Sequence, residues 1–107
     1  MTAIADAALT TIVDRIISGF HPLRVILFGS RARGNAAAMS DIDLLVVFDH
    51  VTDKRQRAIE LRRAVADLPL SKDFVVTTPE EIARRGNLVG SVLRAALREG
   101  RVLYEST

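Results

Sequence analysis

A chain of 107 residues, 49% hydrophobic and 26% charged, has the composition of one folded domain with a modest core and not of a disordered segment. Fifteen Lys and Arg against 13 Asp and Glu leave a formal charge of +2, too small an imbalance for a basic nucleic-acid-binding arm, and one Tyr, four Phe and no Trp offer few platforms for stacking single strands. The absence of cysteine excludes disulfides and thiolate chemistry.

Residues 1–20 carry Asp6, Asp14 and Arg15 where a signal peptide would have a basic start and an unbroken apolar run. No apolar stretch is long enough to span a bilayer, so a cytoplasmic, membrane-free protein is expected. Ile4, Ala8, Leu9, Ile12, Val13, Ile16 and Ile17 recur at steps of three and four, the stripe of an amphipathic helix that ends near Gly19. His21-Pro22 then breaks the helix, because a residue before proline avoids helical dihedrals.

Val25-Ile26-Leu27-Phe28 reads as a buried strand ending at Gly29, and residues 42–48 read as a second strand after a polar loop. Asp53 and Gln56 stand in cap-box relation at the head of a helix whose apolar face is Ala58, Leu61, Val65 and Leu68. That helix is predicted to run to about Leu68, with Lys54, Arg55, Arg62 and Arg63 on its solvated side and Pro69 as its stop. Asp73-Phe74-Val75-Val76-Thr77 is a third predicted strand, and Thr78-Pro79-Glu80-Glu81 is a helix start with a hydroxyl cap and a proline in the first turn. Gly86-Asn87 interrupts it, a stripe through Leu88, Val92, Leu93 and Leu97 stops at Gly100, and Val102-Leu103-Tyr104 could close the chain as a short edge strand. The sum is an α/β (α+β) fold, a small mixed sheet with helices packed against it, read as a single domain over residues 1–107.

The chemistry is concentrated at the first strand-to-strand connection. Phe28-Gly29-Ser30-Arg31-Ala32-Arg33-Gly34 is followed by Ser40-Asp41-Ile42-Asp43-Leu44. Side chains alternate along a strand, so Asp41 and Asp43 share a face while Ile42 and Leu44 point the other way. Two converging carboxylates repel each other unless a divalent cation lies between them, and magnesium, with hard oxygen ligands and room for substrate phosphates, suits the place. Gly29 lets the backbone approach a phosphate oxygen, and Ser30 adds a backbone N–H and a hydroxyl. Arg31 and Arg33 are phosphate-binding candidates, although an arginine in a polar loop is commonly just solvated. Asp-x-Asp at a strand mouth can equally be ordinary turn chemistry; the Gly-Ser turn, the spacing and the two flanking strands together argue for a site.

The pattern Gly-Ser, ten residues, Asp-x-Asp resembles the minimal nucleotidyltransferase (MNT) domain of the polymerase-beta-type nucleotidyltransferase superfamily, and the resemblance covers most of the chain. It implies the nucleotidyltransferase fold, magnesium and use of a nucleoside triphosphate. It also implies a setting: many stand-alone members are antitoxins that transfer AMP from ATP to a tyrosine of a neighbouring HEPN-domain ribonuclease toxin. Two-metal nucleotidyl transfer calls for a further carboxylate from another strand. Asp73 is the candidate by position and matches the place of the third acid in that family. Asp53 is better explained as a helix cap, and Asp49 lies six residues beyond Asp43, about 20 Å along a strand.

The resulting expectation is a protein adenylyltransferase with Asp41, Asp43 and Asp73 as catalytic and metal-holding residues, two Mg2+ ions, ATP as substrate, and Gly29, Ser30, Arg31 and Arg33 at the nucleotide. The alternatives are transfer to a small hydroxylated molecule, for which the short chain offers no acceptor-binding domain, and an inert antitoxin that acts by occlusion. His21 and His50 have no partner at ligand or dyad spacing and are read as structural or surface residues.

Overall fold

The computed structural model describes residues 3–29, 42–69, 71–86 and 92–106. Along the chain lie α1 (Ala3–Phe20), β1 (Arg24–Phe28), β2 (Ile42–Val47), α2 (Lys54–Ala64), β3 (Lys72–Thr77), α3 (Pro79–Arg85), α4 (Val92–Glu99) and β4 (Arg101–Glu105). The four strands form one mixed sheet in the order β3-β2-β1-β4, with β2 and β3 parallel and β1 antiparallel to both β2 and β4.

Strand alternation splits the core in two. Ile42, Leu44 and Val46 of β2 join Val25, Leu27, Phe74 and Val76 against Ile12 and Ile16 of α1 and Leu61 of α2. Leu45 and Val47 join Ile26 on the opposite face, under Leu93 and Ala96 of α4 and beside Ile82 of α3. Both faces of β2 are therefore covered, which explains its near-continuous apolar sequence.

Local signals place the ends of the elements. Asp53 caps α2 through its side chain, which accepts from the Gln56 N–H at 3.0 Å, and Thr78 caps α3 by accepting from the Glu81 N–H at 3.2 Å. His21 ends α1 in the left-handed region, with φ of 52°, while its N–H still bonds the Ile17 carbonyl. The break at His21-Pro22 is as expected, but through a left-handed cap and not an extended residue.

One boundary differs from expectation. The helix predicted to reach Leu68 ends at Ala64, and residues 65–68 continue in tighter turns with bonds from Val65 to Arg62 and from Leu68 to Val65. The reason is tertiary: Arg15 of α1 donates to the Ala64 carbonyl at 3.0 Å and grips both carboxylate oxygens of Asp67, at 2.5 and 3.1 Å. The hydrogen bonds from Arg15 hold the Asp67 carboxyl below its usual range. Val65 stays fully buried through the change of geometry.

A second tie forms where β3 runs into α3. The buried Thr77 hydroxyl donates to Glu81 at 2.6 Å, and Lys54 at the head of α2 donates to the other Glu81 oxygen at 2.6 Å. A capping box would turn Glu81 back to its own helix start; here it joins two helices and a strand instead. Burial alone pushes the Glu81 carboxyl up, but the bonds from Lys54 and Thr77, together with the Lys54 and Arg85 charges, outweigh it and leave the group below its ordinary value. A carboxylate depressed in the folded state stabilises above its unfolded pKa and loses that contribution as pH falls through the folded one. Glu81→Ala is expected to cost about 1–3 kcal/mol at neutral pH, because it also orphans the buried Thr77 hydroxyl. Urea unfolding of both proteins should show the gap narrowing as the pH falls below the ordinary glutamate range.

Candidate active site

The site is assembled at the end of the sheet where β1 finishes and β2 and β3 begin. β1 and β2 pair so that Phe28 lies opposite Asp43, and the parallel register of β2 with β3 sets Asp43 beside Asp73. The Ile42 N–H donates to the Ser71 carbonyl at 2.9 Å, so the register is held right up to the acids. Neighbouring strands bring such Cα atoms to about 4.8 Å, and strand alternation sets Asp43 and Asp73 at positions that leave the Leu44 and Phe74 face to α1 and α2.

Gly29 follows directly, with φ of +80°, a conformation that suits glycine. A Cβ built there would collide with the Asp43 Oδ2 atom and lie 3.3 Å from its Cγ. The Asp43 carboxylate therefore occupies the space that the missing side chain leaves. Asp43 is half-buried, whereas the Asp73 side chain is 62% exposed and meets the Arg62 guanidinium of α2 at 3.5 Å.

Of the residues expected to act, Gly29, Asp43 and Asp73 are thus brought together by the sheet. Asp41, Ser30, Arg31 and Arg33 lie outside the described residues. The competing acids are elsewhere: Asp49 is exposed beyond the far end of β2, and Asp53 is occupied as the α2 cap. His21 and His50 are both exposed and remote from the pair in sequence and sheet position. Among the described residues no cluster of three or more His, Cys, Asp or Glu gathers at one point. The donor set nevertheless fits a hard divalent cation: two adjacent carboxylates at an accessible sheet end, one of them seated against a glycine.

The contact of Arg62 with Asp73 is what sequence reasoning missed. The place of Arg62 among the basic residues of α2 reads as a solvated helix face, and at 56% exposure it partly is one. Only the turns at residues 65–68, which fold the chain back into β3, bring it to Asp73.

Comparison with known proteins identifies the family and the fold. The family model described as nucleotidyltransferase domain matches residues 9–103. A protein of Methanocaldococcus jannaschii named "Putative protein adenylyltransferase" is 35% identical over 85 residues, which are 76% of this chain and 77% of that one. The crystal structure of a "putative nucleotidyltransferase" from Sulfolobus solfataricus superposes with a TM-score of 0.63 at 23% identity, covering 98% of this chain and 90% of the other, and has the same fold. No described helix is long and apolar enough to cross a membrane. On the match over residues 9–103, with the shared fold in agreement, the chain belongs to the nucleotidyltransferase domain family.

Proposed function

We propose that this chain is a magnesium-dependent protein adenylyltransferase that moves AMP from ATP to a tyrosine hydroxyl of a HEPN-type ribonuclease toxin, and so serves as its antitoxin. The observation that carries the reading is the register that sets Asp43 beside Asp73 with Gly29 against the Asp43 carboxylate. The protein acceptor is supported by the name of the archaeal relative, and the toxin by the resemblance of the Gly-Ser and Asp-x-Asp motif to stand-alone antitoxins.

Asp41, one strand repeat before Asp43, joins Asp43 and Asp73 as the third oxygen ligand. Two magnesium ions held there would neutralise the triphosphate and the charge that develops on the leaving pyrophosphate. Gly29 and Ser30 seat the phosphates, and Arg31 or Arg33 pairs with a phosphate oxygen. In the transfer step the tyrosine oxygen bonds to the α-phosphorus of ATP as the bond to the bridging α–β oxygen breaks. The electron pair leaves with pyrophosphate, and Asp73, the more exposed acid, accepts the hydroxyl proton.

Incubation of purified toxin with this protein, ATP and magnesium should add about 329 Da per transferred AMP, the mass of an adenylyl group replacing a proton. Mass spectrometry with peptide mapping should place the adduct on tyrosine. An unmodified toxin that is nevertheless silenced, equally well by Asp43→Asn as by the unaltered protein, would replace the enzymatic account with occlusion.

A further inference from the structure

We propose that the outer edge of β4 is a homodimer interface: a second copy of this chain pairs its own β4 antiparallel to it and extends the sheet across a two-fold axis. The sheet order β3-β2-β1-β4 leaves β4 bonded on one side only among the described strands, and an open edge is a template for another strand. No residue of β4 is buried, although its centre is Val102-Leu103-Tyr104, whereas β1, β2 and β3 each bury several. Val102, paired with Ile26 and 51% exposed, is the one large apolar side chain that stands exposed among the described residues. The inference does not depend on the reading of the acids, since Asp43 and Asp73 lie on β2 and β3, away from this edge.

Charge selects the occupant. β4 begins at Arg101 and ends at Glu105, and neither side chain forms an ion pair or hydrogen bond with a described residue. Antiparallel pairing of two such strands about Leu103 sets Arg101 opposite Glu105 of the second copy at both ends, so the edge is complementary to itself, as a two-fold interface requires. On one face of the strand, Arg101 and Leu103 line a groove of about 370 Å3 with Leu9, Val13, Asp14 and Ile17 of α1. A two-fold axis perpendicular to the sheet brings the second α1 onto that same face, where it covers the groove and adds the apolar area that a short ladder lacks. The pairing of β4 with β1 shifts between Val25 and Ile26, which makes Leu103 the extra residue of a bulge. Bulges and charges also serve to keep an edge single, but here the charges attract in the symmetric arrangement, and the bulge falls on the axis, where it bends both strands alike.

The experiment is sedimentation equilibrium of the full chain at low salt, over about 1–500 μM, a range that brackets a modest interface. The unaltered protein should associate reversibly to a dimer. Arg101→Glu and Glu105→Arg should each weaken association about tenfold, because each sets like charges opposite one another at both ends of the ladder. The double variant Arg101→Glu with Glu105→Arg restores the complementarity and should return association close to that of the unaltered protein. Arg63→Glu, on α2, changes the net charge equally and should have little effect. Should a single variant fail to fold, amide exchange of the unaltered protein decides instead: protection of the β4 amides should rise with protein concentration while that of β3, at the opposite edge, stays constant. A monomer at every concentration, whether the edge stays bare or accepts a strand of another protein, would overturn the proposal. So would a dimer indifferent to both charge reversals, or a double variant no better than the single ones.

Discussion

Asp43→Asn is expected to abolish adenylyl transfer while leaving the protein folded. The substitution keeps the shape of the side chain, so β2 retains its pairing with β1 and β3 and the apolar residues on either side stay buried. On the proposed function, what is lost is a negative oxygen ligand, the carboxylate seated against Gly29 on the residue paired with Asp73. Stabilisation of charge that develops only in the transition state is lost with it, on the order of a thousandfold in rate. The check is the initial rate of AMP incorporation at saturating ATP, paired with thermal unfolding. Retained activity with an unchanged unfolding midpoint would mean that the acid pair is not the reaction centre. Asp73→Asn should reduce transfer similarly through loss of the proton acceptor, and full activity there would move that role to another acid.

Gly29→Val should nearly eliminate productive ATP binding, and the structure supplies a reason beyond the approach of a phosphate to the backbone. Any Cβ at this position drives into the Asp43 carboxylate, and the φ of +80° is one that a β-branched residue resists strongly. Either Asp43 swings away or the end of β1 is remodelled, and both outcomes dismantle the site. Gly29→Ala meets the same Cβ collision and should fall between valine and glycine, whereas Ser30→Ala keeps its backbone N–H and should cost only about 1–2 kcal/mol of nucleotide affinity. Equilibrium binding of ATP with magnesium, measured for all three, should rank them Gly29→Val, Gly29→Ala, Ser30→Ala from weakest to tightest. Undiminished binding in Gly29→Val would place the triphosphate elsewhere.

The local elements were legible because their signals are local. The apolar stripe of α1, the caps Asp53 and Thr78 with their spacing to Gln56 and Glu81, and the apolar runs of β1 and β2 each depend on residues within a few positions of one another. The face on which Asp43 stands follows from the same rule, since burying Ile42 and Leu44 leaves it no alternative within a strand.

Tertiary structure decided what depends on residues far apart in the chain. The shortening of α2 is enforced by Arg15, 49 residues away from the carbonyl it captures, and nothing between Ala58 and Leu68 announces it. Whether Asp73 meets Asp43 is a matter of register between parallel strands: a slip of one residue would have put the acids on opposite faces, and the alternation of Phe74 and Val76 with Leu44 and Val46 in one core forbids the slip. The seat of the Asp43 carboxylate against Gly29 and the contact of Arg62 with Asp73 come from strand pairing and from a turn, so residue type and spacing alone do not reveal them. Sequence periodicity determines which side of an element a residue occupies; only the packed sheet determines which residues from different elements stand within reach of one another.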